Sequence, residues 1–232
     1  VMLPTSPLHW LLFNPMIEDA QPAFDLLVMT SGNKRSEPIC LGNQEAFERL
    51  KGIADCFLCH DREINLRSDD SVCRSSKHQS IQVWRRARGY APNQLPLKTP
   101  LKRRVLALGA ELKNTIAIAS NAAITLSPHV GDLETPQAQQ GLEQLVESFP
   151  DFLNIDPEIV AIDLHPDMYS SKLGEKLATR LGLPIARVQH HHAHAASCMV
   201  ENDISECLAL VFDGTGLGSN GNIWGAELLH CS

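Results

Sequence analysis

Short apolar runs alternate with longer amphipathic stretches along most of the chain, the pattern of strands alternating with helices. Asp25-Leu-Leu-Val-Met-Thr30 is a continuous apolar run, as expected of a buried strand, and Ser31-Gly-Asn-Lys34 is a turn after it. Residues 43–53 place Phe47, Leu50 and Ile53 at helical spacing. Beyond residue 100 the alternation becomes regular. Val105-Leu-Ala-Leu-Gly-Ala110 predicts a buried strand entering a tight turn, and 116–119 and 123–126 predict two further strands. Thr135-Pro136 supplies a capping hydroxyl and a proline at the first helical position, so a helix is expected from there to about Phe149. A strand follows at 159–163, then a helix from Ser170 to Leu181 stopped by Gly182 and Pro184, then a strand at 185–189 and a further helix. The segment 208–229 reads as a β-hairpin with a glycine-rich loop.

This order predicts an α/β protein with a mainly parallel sheet and helices on both faces. Ligands bind at the strand ends of such sheets, where His165, His190, His194 and Asp213 fall. Ala91-Pro-Asn-Gln-Leu-Pro-Leu-Lys-Thr-Pro100 carries three prolines in ten residues and reads as a domain boundary. The expected division is therefore a first unit over 1–92, a linker over 93–103 and a second unit over 104–232.

Composition adds limits. A chain of 232 residues with 20 % charged residues suits one large or two small soluble α/β domains. No apolar run reaches the length of a membrane span and no signal-peptide layout is seen, so no membrane partner is expected. Seven scattered cysteines fit a reducing, cytoplasmic setting. The first residue is Val and the chain enters mid-element, which reads as a piece of a longer protein.

The net charge of −7 conceals an asymmetry: residues 71–131 hold 10 Lys and Arg against 1 acidic residue, whereas 132–232 hold 4 against 15. From Ser71 to Ala110 there is no acidic residue at all, and such an acid-free basic segment between acidic flanks suggests a local anionic ligand or docking onto the acidic parts. A nucleic-acid surface is disfavoured, because such domains are usually basic overall.

The sharpest chemical signal is Val188-Gln-His-His-His-Ala-His-Ala-Ala-Ser197, with four of the ten histidines in five positions. In a helix beginning near Gln189, His190 and His194 are an i, i+4 pair on one face, a spacing that lets two imidazoles grip one metal ion. Asp213, at the head of Asp-Gly-Thr-Gly-Leu-Gly, is the candidate third ligand. Gly214 and Gly216 in that loop would let backbone N–H groups approach a phosphate, although such a hairpin can equally be a simple turn. The Cys56/Cys59 pair lacks a second pair at zinc-site spacing and reads as structural. Asp69-Asp70 suits either a divalent cation or a salt-bridged turn, and the arginines of Trp84-Arg-Arg-Ala-Arg-Gly-Tyr90 either a phosphate or an acidic neighbour.

Together these residues resemble the HypF carbamoyltransferases of [NiFe]-hydrogenase maturation. The resemblance is carried by Met2-Leu-Pro-Thr-Ser-Pro-Leu-His9, Thr30-Ser-Gly-Asn33, His60-Asp-Arg62 with Asp69-Asp-Ser-Val72, and Arg86-Ala-Arg-Gly-Tyr-Ala-Pro92. Gly109-Ala-Glu-Leu-Lys-Asn-Thr115, His129-Val-Gly-Asp-Leu-Glu134, Asp163-Leu-His-Pro166 and the histidine run with its Asp213 hairpin extend it over nearly the whole chain. It implies the C-terminal part of a YrdC-like domain over 1–92 and the N-terminal part of an actin/sugar-kinase-like (TsaD-like) domain over 104–232. The YrdC lysine and arginine and a late metal-binding aspartate of that family would lie outside the chain, so the piece would be inactive alone.

The resemblance also implies a chemistry. Carbamoyl phosphate and ATP would give carbamoyl adenylate in the YrdC-like domain, where Thr30, Ser31 and Asn33 match the nucleotide-binding turn and Ser71 and Arg74 are weaker candidates. The carbamoyl group would then pass, at a site with His190, His194 and Asp213 as metal ligands and catalytic residues, to the C-terminal cysteine of HypE for cyanide ligand synthesis. The metal would be zinc, iron or magnesium, and His191 and His192 would be supporting or surface groups. The alternatives are a tRNA threonylcarbamoyladenosine-forming transferase and a non-catalytic partner-binding module.

Overall fold

A computed structural model describes residues 4, 6–14, 16, 24–35, 37–64, 66–75 and 81–232. It divides into two compact units, 1–32 and 33–232. In the first, helix α1 (Pro7–Phe13) begins behind Ser6, whose hydroxyl accepts the His9 N–H at 3.2 Å. The apolar run 25–30 does not form the expected strand, and Leu26 and Val28 are exposed. A strand needs neighbours to take its backbone groups and cover its side chains, and none pairs with this run among the described residues.

The second unit starts with helix α2 (Asn43–Arg49), whose Glu45 carboxylate accepts the Leu41 N–H at 2.8 Å and pairs with Arg49. The helix is shorter than its apolar spacing predicts, because Gly52 turns the chain at φ 81 and leaves Ile53 exposed. Strands β1 (Val72–Ser75) and β2 (Ile81–Arg85) form an antiparallel ribbon. Ser71 closes its base: its hydroxyl donates to Arg88 O at 2.8 Å and accepts the Ala87 N–H at 2.9 Å.

The main sheet combines β3 (Gln94–Pro96), β4 (Val105–Ala107), β5 (Ala117–Ser120), β6 (Ala123–Leu126), β7 (Ile159–Asp163) and β8 (Ile185–Val188) in the order β3-β6-β5-β4-β7-β8. It is mixed, and the expectation of a mainly parallel sheet is corrected. Only β4–β7 and β7–β8 are parallel. The reason is local: Asn121, at φ 51, turns β5 directly into β6, and so tight a connection can join only antiparallel neighbours. Part of the proline-rich stretch is ordered as β3 on the outer edge of the sheet, where Pro96 withholds no ladder bond from a second neighbour.

Helices α3 (Pro136–Leu153) and α4 (Tyr169–Leu181) share one core with the sheet. Thr135 caps α3 as the sequence predicts, its hydroxyl accepting the Ala138 N–H at 3.2 Å. The helix continues through Pro150 to Leu153, because burial of Phe149 and packing of Leu153 on the core offset the hydrogen bond that Pro150 lacks. Leu106, Leu108, Val160 and Ile162 face Leu142, Val146 and Phe149 of α3 and Leu177 of α4. One row on the other face is small: Ala117, Ala107, Ala161 and Ala186 align across four strands.

Helix α5 (His190–Asn202) follows β8. Strands β9 (Cys207–Val211), β10 (Gly216–Leu217), β11 (Ile223–Trp224) and β12 (Glu227–Cys231) then form the expected hairpin, with β9 paired to β12 and β10 to β11, packed against α5. Among the described residues no helix is long and apolar enough to cross a membrane.

Candidate active site

The parallel register of β7 and β8 sets Asp163 opposite Val188, so the residues just beyond Val188 emerge beside the Asp163 carboxylate. Gln189 caps α5, its side-chain oxygen accepting the His192 N–H at 2.9 Å. Helical spacing sets the His190 and His194 rings edge to face on one side of the helix, with centroids 4.9 Å apart. The hairpin brings Asp213 back onto that face, with Oδ2 at 2.9 Å from His190 Nε2 and 3.5 Å from His194 Nε2. One donor atom from each of the three lies within 4.8 Å of the others, the only such group of His, Cys, Asp or Glu among the described residues. Two imidazole nitrogens and a carboxylate oxygen form a donor set that fits zinc, iron or another borderline divalent ion.

Asp163 is the residue that reading the sequence leaves without a role. It is buried, and its Oδ2 lies 2.7 Å from His190 Nδ1 while its Oδ1 accepts the His165 N–H at 2.8 Å. Its signal in the sequence is a carboxylate closing the strand before the histidine strand, but its nearness to His190 depends on register. The hydrogen bond to Asp163 holds the His190 pKa above its ordinary value, against burial and with help from the negative charges of Asp163 and Asp213. At Asp213, burial pushes the carboxyl up, but the Gly214 N–H and the His190, His194 and His191 rings outweigh it and hold the pKa low.

The loop glycines have different surroundings. A side chain at Gly214 would meet nothing within 4 Å, so its backbone can be approached closely. A Cβ at Gly216 would fall 2.6 Å from His191 Cε1, and one at Gly218 would fall 2.0 Å from Trp224 Nε1. Packing therefore accounts for Gly216 and Gly218. His191 is fully buried, its Nδ1 2.9 Å from the Gln189 amide nitrogen, which also donates to Leu217 O at 3.3 Å. His192 is exposed. Gln189 thus ties the start of α5 to the hairpin that carries Asp213.

Two cavities flank the site. One of about 390 Å³ lies over the alanine side of the sheet, lined by Ala107, Gly109, Ala161, Asp163, His190 and His194. The other, about 560 Å³, runs between α5 and β9 past His194, Cys198, Cys207, Phe212 and Asp213.

The other candidates stand elsewhere. Thr30 and Ser31 are exposed in the first unit, and Asn33 belongs to the second, where its amide donates to Lys34 O at 2.9 Å. The Ser71 hydroxyl is engaged by the ribbon, and the Arg74 guanidinium stacks over Trp84 at 5.7 Å. Asp70 pairs with Arg88 at 3.8 Å, the contact expected of a salt-bridged turn. Cys56 and Cys59 are free, exposed thiols.

Comparison with known proteins gives a consistent picture. Residues 100–201 match the HypF Kae1-like domain family, and residues 1–87 match the Sua5/YciO/YrdC family described as telomere recombination. Carbamoyltransferase HypF2 of Cupriavidus necator is 44 % identical over 239 residues, covering 99 % of this chain and 30 % of that protein. Carbamoyltransferase HypF of Rhodobacter capsulatus is 41 % identical over 236 residues, with the same coverage. The solved full-length HypF in its phosphate- and nucleotide-bound form superimposes with a TM-score of 0.78 at 43 % identity, over 87 % of this chain and 31 % of that one. HypF from T. kodakarensis superimposes with a TM-score of 0.80 at 35 % identity, over 88 % and 26 %. The chain belongs to the HypF family. Its fold is accordingly YrdC-like α/β followed by Kae1-like α/β, and it spans about 30 % of the length of the curated HypF relatives it matches. The interval 88–99 between the two matched regions contains the cis Ala91–Pro92 peptide and β3.

Proposed function

We propose that this chain contributes one metal-binding wall of a carbamoyl-transfer site, in a protein that uses ATP and carbamoyl phosphate to carbamoylate the C-terminal cysteine of HypE for cyanide ligand synthesis. The observation that carries the reading is the convergence of His190, His194 and Asp213 on one point, beside a glycine backbone open to approach. A divalent cation bound there would neutralise phosphate and carbonyl oxygens as charge develops on them. The residues themselves do the positioning. His190 and His194 present Nε2 from one helix face, and Asp213 is oriented by the Gly214 N–H that its Oδ1 accepts at 2.7 Å. Gly214 offers its backbone to the phosphate side of the nucleotide. Thr30, Ser31 and Asn33 are assigned to the adenylate-forming turn, and Ser71 and Arg74 are weaker candidates for the same nucleotide. In the transfer the acceptor sulfur bonds to the carbamoyl carbon, the carbon–oxygen bond to the phosphate breaks, the thiol proton passes to solvent or a base, and AMP leaves.

The test is mass spectrometry of HypE after incubation with the full-length protein, ATP and carbamoyl phosphate. Addition of one carbamoyl group to its terminal cysteine, lost in the His190→Ala/His194→Ala double variant, supports the reading. An unmodified HypE together with threonylcarbamoyl modification of tRNA would replace it with the tRNA pathway.

A further inference from the structure

We infer that Asp163 is a positioning residue for His190, fixing which imidazole nitrogen faces the metal. The inference rests on the metal reading of the His190, His194 and Asp213 group. The Asp163 carboxylate is buried, and both its oxygens are committed: Oδ2 to His190 Nδ1 at 2.7 Å, Oδ1 to the His165 N–H at 2.8 Å. Its backbone is equally fixed. The Ser171 hydroxyl donates to Asp163 O at 3.2 Å, and the next residue, Leu164, donates its N–H to Val188 O at 2.8 Å across the parallel ladder. A carboxylate held this rigidly accepts only from an Nδ1 that carries a proton. That choice leaves the lone pair of His190 on Nε2, the atom beside Asp213. His194 has no such partner among its described contacts: its Nε2 has only Asp213 within reach, at 3.5 Å, and the ring is exposed. The two histidines are therefore unequal. His190 is the pre-set ligand, and Asp163 sets it through the strand register of β7 and β8 rather than through any bond of its own to the ion.

The test is Co(II) titration of the full-length protein against a chromophoric chelator, with Asp163→Asn, His190→Ala and the double variant. Asparagine keeps an oxygen for the His165 N–H but turns an NH₂ donor toward Nδ1, which moves the ring proton to Nε2. The expected result is a Co(II) affinity about 10- to 100-fold weaker for Asp163→Asn, with no further loss when Asp163→Asn is added to His190→Ala. Asp163→Ser, too short to reach His190, serves if the amide variant does not fold. Unchanged affinity in a folded Asp163 variant overturns the positioning role alone, as does a full additional loss in the His190→Ala background. A folded wild-type protein that binds no Co(II) overturns the metal reading and this inference with it.

Discussion

At the residue scale, the His190 imidazole lies between two carboxylates, 2.7 Å from Asp163 and 2.9 Å from Asp213. Its raised pKa means that the folded state holds a proton which the unfolded chain releases earlier. That stabilisation is fully present below the ordinary histidine value, about 6.5, and is lost as pH rises through the raised folded value. Asp213 has the opposite sign: its depressed pKa contributes stability above its ordinary value, lost as pH falls through the folded value. The melting temperature of metal-free protein should therefore fall as pH rises above the ordinary histidine value of about 6.5, and His190→Ala should flatten that dependence. A wild-type profile no steeper than that of His190→Ala would count against the ion pairs. A metal competes with the same Nε2 proton, so metal affinity should increase over the same pH rise. The loop glycines supply a second contrast. Gly216→Val should cost about 1–3 kcal/mol by overpacking against His191, while Gly214→Ala should leave the denaturation midpoint unchanged and weaken nucleotide binding.

At the element scale, α3 and α4 hold the sheet that carries Asp163. A Cβ at Gly174 of α4 would stand 2.3 Å from Ile162 Cγ2, so Gly174→Ala should destabilise the unit by about 1–3 kcal/mol in urea unfolding. Thr135→Ala removes the α3 cap and should cost about 1 kcal/mol in the same measurement. The helices were legible in the sequence because their signals are local: Thr135-Pro136, Gly182 and Gln189 stand at the ends they cap. Strand pairing was less legible. The runs at 116–119 and 123–126 read as strands, but whether they lie parallel depends on the turn at Asn121. The run at 25–30 reads as a buried strand because its side chains are apolar, yet pairing requires neighbours that no local pattern supplies.

At the scale of the whole molecule, the acid-free segment meets acidic partners from distant parts of the chain. Arg104 pairs with Glu158 at 3.7 Å, and Lys98 pairs with Asp203. These pairs favour docking onto the acidic regions over a reserved anion site at those two positions. Both are exposed, so Lys98→Ala and Arg104→Ala should each change stability by under about 1 kcal/mol, and less at high salt. The sequence by itself determined the helix with its two histidines one turn apart, the aspartate at the head of a glycine hairpin, and the family, because helical period and motif spacing are properties of neighbouring residues. Only the tertiary structure decided that Asp163 grips His190, that His191 is buried beneath Gly216, and that Ser71 belongs to a ribbon base. Those contacts depend on sheet register and on how the hairpin packs over α5, which join residues far apart in the chain through geometry that no stretch of sequence encodes alone.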